Sequence, residues 1–210
     1  MPQPKAKDTS QVSRDPERTQ RRILAAALHE FAARGFAGAR VDAIARRAAS
    51  NKRMLYHYFG DKAGLFRAVL RHKINERSSR VEALAAGRDS ELALWYEQNC
   101  RDADWVRLLA WESLESTADK VVDEVDRRRH AVQVAERIRQ RQAEGKAPGN
   151  VPPSFLQLFR ASLAMFPLAM PQLARIITGR SPHDPKFQRE YAQFLESIAL
   201  ALRPDQKVLK

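Results

Sequence analysis

Val41-Asp42-Ala43-Ile44-Ala45-Arg46-Arg47-Ala48-Ala49-Ser50-Asn51-Lys52-Arg53-Met54-Leu55-Tyr56-His57-Tyr58-Phe59-Gly60-Asp61-Lys62 decides the fold. Val41, Ile44, Ala45 and Ala48 recur at three- and four-residue spacing, the period of one short helix. Asn51 is a good cap for a second helix, carrying Met54, Leu55, Tyr58 and Phe59 on two turns. Gly60-Asp61 stops it, and Asp61 caps a further helix. With Leu55 and Phe59 turned inward, Ser50, Lys52, Arg53, Tyr56 and His57 are left to face out. Two short helices, the second amphipathic and basic, read as a helix-turn-helix. The first braces while the second enters the DNA major groove, which is wide enough for one helix. Arg and Lys can donate to guanine acceptors, Tyr and Ser reach phosphates, and His can serve either.

On the N-terminal side, Asp15-Pro16-Glu17 opens a helix whose Leu24, Ala27, Leu28 and Phe31 share a face and which Gly35 ends. Residues 1–14 are expected to form a disordered basic arm, polar enough to exclude the apolar core of a secretory signal. The expected division is therefore arm 1–14, DNA-binding domain 15–62 and helical body 63–210. On the C-terminal side the period stays helical, and no period-2 alternation appears, so the fold class is all-α. Leu65, Phe66, Val69 and Leu70 line a fourth helix running to about Val81. Residues 89–102 and 104–117 follow, the second apolar around much of its circumference and so expected to be deeply buried. A long helix over 118–144 has Val121, Val122, Val125, Val132, Ala135 and Ile138 on its expected inner face, and its Arg127-Arg128-Arg129 run is expected to be solvated. Two seams close the chain. Leu156, Phe159, Leu163, Phe166, Met170, Leu173 and Ile177 form one, expected to continue through Pro167 and Pro171 with a bend. Phe187, Tyr191, Phe194, Ile198 and Ala201 form the other. Each seam is explained by intrachain core, or by meeting its copy in a second chain as a four-helix bundle.

Charge is distributed unevenly. Of the formal +12, residues 1–80 hold 18 basic and 7 acidic side chains, and residues 81–210 hold 19 and 18. The excess lies where a polyanion would dock. No run approaches the roughly 18 apolar residues of a membrane span, so no membrane partner is expected. A lone Cys100 makes no intrachain disulfide and fits a reducing, cytoplasmic setting.

The stretch Gly35-Phe36, Val41-Asp42-Ala43-Ile44-Ala45, Leu55-Tyr56-His57-Tyr58-Phe59-Gly60-Asp61-Lys62 and Leu65-Phe66 closely resembles the DNA-binding domain of the tetracycline-repressor (TetR) family, over about residues 15–70. The resemblance implies groove-facing roles for Lys52, Arg53, Tyr56 and His57, and a phosphate contact for Lys62. Arg40 stands where the family commonly has a Thr or Ser that caps the second helix and touches phosphate; a cap is lost and a phosphate donor kept. Ala48-Ala49-Ser50-Asn51 replaces the common Ala-Gly-Val-Ser, so Ala49 takes the glycine position of the turn. The resemblance further implies a homodimer on a near-palindromic operator, a fourth helix linking reader to body, and dimerisation by the last two long helices.

The body exceeds what a DNA reader needs, which points to dimerisation and sensing. Trp95, Trp105, Trp111, Phe155, Met165, Phe166 and Met170 together suit a pocket for a small apolar or amphipathic effector, with Arg107 or His130 available to a polar group. Plain core is the favoured role for any single one of them. Leu156, Phe159, Leu163, Phe166, Leu173, Ile177, Phe187, Tyr191, Phe194 and Ile198 are the candidate dimer residues. An enzyme is the main rival, but the five histidines show no metal-ligand pairing, no phosphate loop follows a strand, and no cofactor or metal is implied. A helical interaction module without DNA binding is the second rival, opposed by Lys52, Arg53, Tyr56 and Lys62.

Overall fold

Asp15 accepts from the amides of Glu17 and Arg18 at 3.1 and 3.2 Å, and with Pro16 in the first position it starts helix α1 (Pro16–Gly38). The computed structural model describes residues 15–85, 91–115 and 121–202, so the expected arm lies outside the described residues. Among these, nine more helices follow: α2 (Val41–Arg47), α3 (Lys52–Phe59), α4 (Lys62–Ala85), α5 (Leu92–Arg101), α6 (Ala103–Glu115), α7 (Glu124–Ala143), α8 (Pro153–Ala169), α9 (Pro171–Thr178) and α10 (Pro185–Ala201). The fold is all-α, with the helix-turn-helix segment followed by a helical body. No described helix is long and apolar enough to cross a membrane.

Gly35 breaks α1 three residues before its end, at φ 69° and ψ 177°. Only glycine enters that region without strain. A Cβ there would also lie 2.2 Å from Glu115 Oε1 and 3.0 Å from the Trp111 ring. The kink is tied to α6: Glu115 Oε2 accepts from the Phe36 amide at 2.9 Å, and Arg107 Nε and Trp111 Nε1 donate to the Ala32 carbonyl at 3.3 and 3.1 Å. Phe31, Phe36 and Phe66 then form an aromatic cluster, with centroid separations of 5.0 and 5.3 Å to Phe66. One apolar core runs through Ile23, Ile44, Leu55 and Leu70 of the first four helices and takes in Trp105 and Leu108 of α6. The helix-turn-helix segment and the body share this core.

A second core joins α5, α8 and α10 through Leu92, Tyr96, Ala164 and Leu195, with half-buried Cys100 against it. Burial pushes the Cys100 thiol up. Pro167 sits inside α8 and cannot donate to the Leu163 carbonyl one turn back. Tyr191 of α10 donates its hydroxyl to that carbonyl at 3.1 Å, and Asn99 of α5 donates to the adjacent Ala164 carbonyl at 2.8 Å. Partners from neighbouring helices thus keep α8 going through one proline. Pro171 is different: it disfavours helical backbone at Met170, which sits at φ −123° and ψ 60°. The expected continuous seam over 156–177 is therefore two helices, α8 and α9, and not one bent helix.

Of the expected inner face of the 118–144 helix, Val122, Ala135 and Ile138 are half-buried or buried, whereas Val121, Val125 and Val132 are exposed. Val125 and Val132 are 73% and 61% exposed, while Ile138 is buried and Ala131 and Val134 are half-buried. Arg127, expected to be solvated, points inward and pairs with Glu112 of α6. The valine count misled because the buried stripe at 127, 130, 131, 134 and 138 carries charge at its head.

Candidate nucleic-acid interface and central cavity

The outer surface of α3 is built by the burial of Leu55, 2% exposed, and by the Asn51 side chain, which accepts from the Met54 amide at 2.9 Å. With that face fixed, Lys52, Arg53, Tyr56 and His57 are all exposed, and His57 rests edge-on against Tyr58 at 5.3 Å. Ser50 is half-buried in the turn, its amide donating to the Ala45 carbonyl at 2.9 Å. Arg40 is exposed at the start of α2 and gives it no side-chain cap. Among the described residues nothing pairs with Arg53. Lys52 is engaged: Asp42 holds its ammonium at 2.7 Å, and this hydrogen bond raises its pKa. Lys62 reaches back over the Phe36 ring, 5.1 Å from its centroid, and donates to the Ala37 carbonyl at 3.1 Å. Cationic and hydroxyl groups therefore ring one convex helix, the geometry that fits a major groove flanked by phosphates.

Two supports of this surface escaped the sequence. Arg22 of α1 donates to the Ala48 and Ala49 carbonyls at 3.1 and 2.9 Å, clamping the turn between α2 and α3. Gly64 lets the first turn of α4 pass the end of α3, since a Cβ there would meet the Phe59 carbonyl oxygen at 2.0 Å. A charged residue on α1 and a glycine inside a helix give no local signal of these roles.

Ala49 adopts φ 45°, the left-handed region. The strain for a residue with a Cβ is about 1–2 kcal/mol, partly offset by the greater unfolded freedom that glycine would bring. Ala49→Gly should therefore raise the unfolding free energy by about 0.5–1 kcal/mol. Urea denaturation with the m-value unchanged will measure it, and a destabilised variant would contradict the strain.

A cavity of about 410 Å³ lies in the body between α4, α5, α6, α7 and α8. Its apolar wall includes Ile74, Trp95, Trp105, Leu109, Val134, Ile138, Ala164 and Met165, and its polar wall is Arg77, Ser78, Asn99, Arg127, His130, Gln157 and Arg160. Of the residues expected at an effector pocket, Trp95, Trp105 and Met165 meet here, as does His130. Arg107 and Trp111 do not: they lie on the opposite face of α6 and bond to α1. Phe155, Phe166 and Met170 are 66%, 42% and 51% exposed and do not line the cavity. The missed members are the guanidiniums of Arg77, Arg127 and Arg160, which sequence presents as ordinary surface charge. Arg77 is only 5% exposed, bonded to Asn99 and lying over Trp105 at 5.5 Å. Burial lowers its pKa, against the pull of Asp102 at 3.4 Å.

The candidate dimer residues divide. Leu156 and Phe187 are buried within the chain, and Leu163, Tyr191 and Ile198 are half-buried, with Tyr191 packed on Tyr96 at 4.8 Å. Phe159, Phe166, Leu173, Ile177 and Phe194 are 39–68% exposed, in the company of Phe155, Leu158 and Ile176.

Comparison with known proteins places both halves. Residues 23–69 match the model described as bacterial regulatory proteins, tetR family, and residues 93–196 match that of a tetracyclin repressor-like C-terminal domain. The HTH-type transcriptional repressor SCO4008 of Streptomyces coelicolor is 32% identical over 168 residues, 80% of this chain and 88% of its own. The HTH-type transcriptional repressor NicS of Pseudomonas putida is 35% identical over 105 residues, 47% of this chain and 50% of its own. The solved structure of SCO4942 of Streptomyces coelicolor shares the fold, with a TM-score of 0.68 at 24% identity, covering 86% of this chain and 97% of that one. With its DNA-reading helix exposed and its relatives repressors, this chain belongs to the TetR family of bacterial transcriptional regulators.

Proposed function

We propose that the protein is a ligand-responsive repressor that binds a near-palindromic operator as a homodimer in the cytoplasm, and that it has no catalytic role. The observation that carries this reading is the outward display of Lys52, Arg53, Tyr56 and His57 on a helix whose other face is locked into the core. Arg40, Ser50 and Lys62 flank that helix as the phosphate-side set. The proposed division is the reader at 15–62 and the effector-binding and dimerising body at 63–210. Effector binding in the cavity would act on the reader through α4, which supplies Ile74, Arg77 and Ser78 to the wall, and through α6. Helix α6 gives Trp105 and Leu109 to the cavity and Arg107, Trp111 and Glu115 to the α1 kink. A ligand shifts DNA affinity only by its differential affinity for two arrangements of these helices.

Selection of bound fragments from a random DNA pool, followed by titration at several salt concentrations, tests the reading. Lys62→Ala should weaken binding to all duplexes alike and reduce the salt slope by about one charge. Arg53→Ala should blur preference at particular base pairs, by roughly 1–3 kcal/mol for a bidentate guanine contact. If no sequence is enriched, the operator reading fails; an unchanged preference in the variant removes Arg53 from base reading.

A further inference from the structure

The cavity wall has a polarity that its volume does not reveal. It presents three guanidiniums, Arg77, Arg127 and Arg160, and no acidic side chain. Each guanidinium has a carboxylate partner, and each partner stands outside the cavity lining. Asp102 lies behind Arg77, at 3.4 Å, in a separate cleft with Lys73 and Glu76. Glu91 lies behind Arg160, at 3.1 Å, in another small cleft with Arg141 and Lys146. Glu112 holds Arg127 from α6 without reaching the wall. Their bonds leave part of each fork uncommitted among the described residues. Arg77 uses Nη1 on Gln98 and Asp102 and Nη2 on Asn99; Arg160 uses Nη2 on Glu91; Arg127 uses Nη1 on Glu112 and Val122. Ser78 and His130 hydrogen-bond to each other at 3.0 Å, joining α4 to α7 beside Arg127. Burial lowers the pKa of Arg160, and Glu91 opposes this.

We infer that this cavity binds an amphipathic organic carboxylate, its head on the uncommitted Nε–Nη2 edge of the Arg127 guanidinium and its apolar body among Trp95, Val134 and Met165. Carboxylate oxygens match the planar guanidinium fork. A neutral ligand of the same shape gains no such contact, and an ammonium meets no acidic side chain in the wall. At about 410 Å³ the site falls in the lower part of the usual ligand-pocket range of roughly 300–1,000 Å³. A bicyclic aromatic acid or a medium-chain fatty acid is the matching scale. This assignment rests on the proposed reading of the cavity as the effector site.

Calorimetric titration of the full chain with two matched series tests it: 2-naphthoate, 2-naphthalenemethanol and 2-naphthylmethylammonium, and octanoate, 1-octanol and octylammonium. In at least one series the carboxylate should bind about tenfold or more tighter than the alcohol, the scale of a charged hydrogen bond, with no binding by the ammonium. Alcohol binding as tight as carboxylate in both series overturns the inference, as does failure of both carboxylates to bind. The double variant Arg127→Gln/Glu112→Gln removes one fork without stranding its partner. Its preference for carboxylate over alcohol should fall about threefold or more, and an undiminished preference overturns the placement of the head group. Should that variant not fold, the wild-type series decides alone. Adding the bound carboxylate to an operator titration keeps the two readings apart. Carboxylate binding with unaltered DNA affinity sinks the ligand switch and leaves the site standing, whereas a switch driven only by neutral compounds does the reverse.

Discussion

Phe31→Ala will lower the unfolding free energy by about 3–5 kcal/mol, the range for deleting a fully buried phenylalanine. Phe31 is 0% exposed and sits edge-on to Phe66 and stacked beside Phe36, so its ring touches α1, the kink and α4 at once. Little near it can collapse into the hole, because Ala27, Ala32 and Leu108 are themselves fully buried. The loss matters beyond stability. The same core seats Ile44 and Leu55, which fix the direction of α2 and α3, and Trp105, which lines the cavity. Guanidinium denaturation measures the first effect. DNA titration at a temperature where the variant is still folded measures the second, and should show weakened binding without change in the preferred sequence. A cost under about 1 kcal/mol would mean that the junction is loosely packed and cannot transmit between cavity and reader.

What the sequence made legible was local. Asp15, Asn51 and Asp61 act as caps because a short polar side chain satisfies amides two or three residues on, a matter of sequence spacing alone. Gly35 was legible as a break, because only glycine enters its backbone region without strain, although α1 resumes to Gly38. The faces of α3 followed from period, since Leu55 could only be buried if Lys52, Arg53 and Tyr56 were not. What failed depended on which helix lies across from which. Arg127 stands in a run of three arginines, and only the approach of α6, bringing Glu112, selects it for the interior. Pro167 and Pro171 are alike on paper; Tyr191, more than twenty residues later, supplies the missing donor at one of them. Trp111 and Trp105 share a helix, yet the six-residue step sends one to α1 and the other to the cavity. The capture of Lys52 by Asp42 likewise needs the turn between α2 and α3 to fold first.

Phe194→Glu will convert the proposed homodimer to monomer and abolish operator binding, while leaving the protomer folded. Phe194 is 48% exposed on α10, so in the single chain the substituted carboxylate points to water and costs little. The apolar surface that would receive a second copy is extensive: Phe159 and Phe166 of α8, Leu173, Ile176 and Ile177 of α9, and Phe194 of α10 are all left exposed. Such a set on three consecutive helices has no use in an isolated chain, and a symmetric partner is its simplest cover. Two-fold symmetry then buries the new carboxylate twice, unpaired, at several kcal/mol for each ion. Since each 1.4 kcal/mol is tenfold, the dimer should weaken by about a thousandfold or more. A single short recognition helix spans too few base pairs to hold one site, so losing the partner loses the operator although α3 is untouched. Light scattering, circular dichroism and operator titration on the same sample separate the steps. The expected result is a helical monomer that no longer selects its sequence, with Phe194→Leu remaining dimeric. A wild-type protein that is monomeric at micromolar concentration would end both the dimer surface and the palindromic operator.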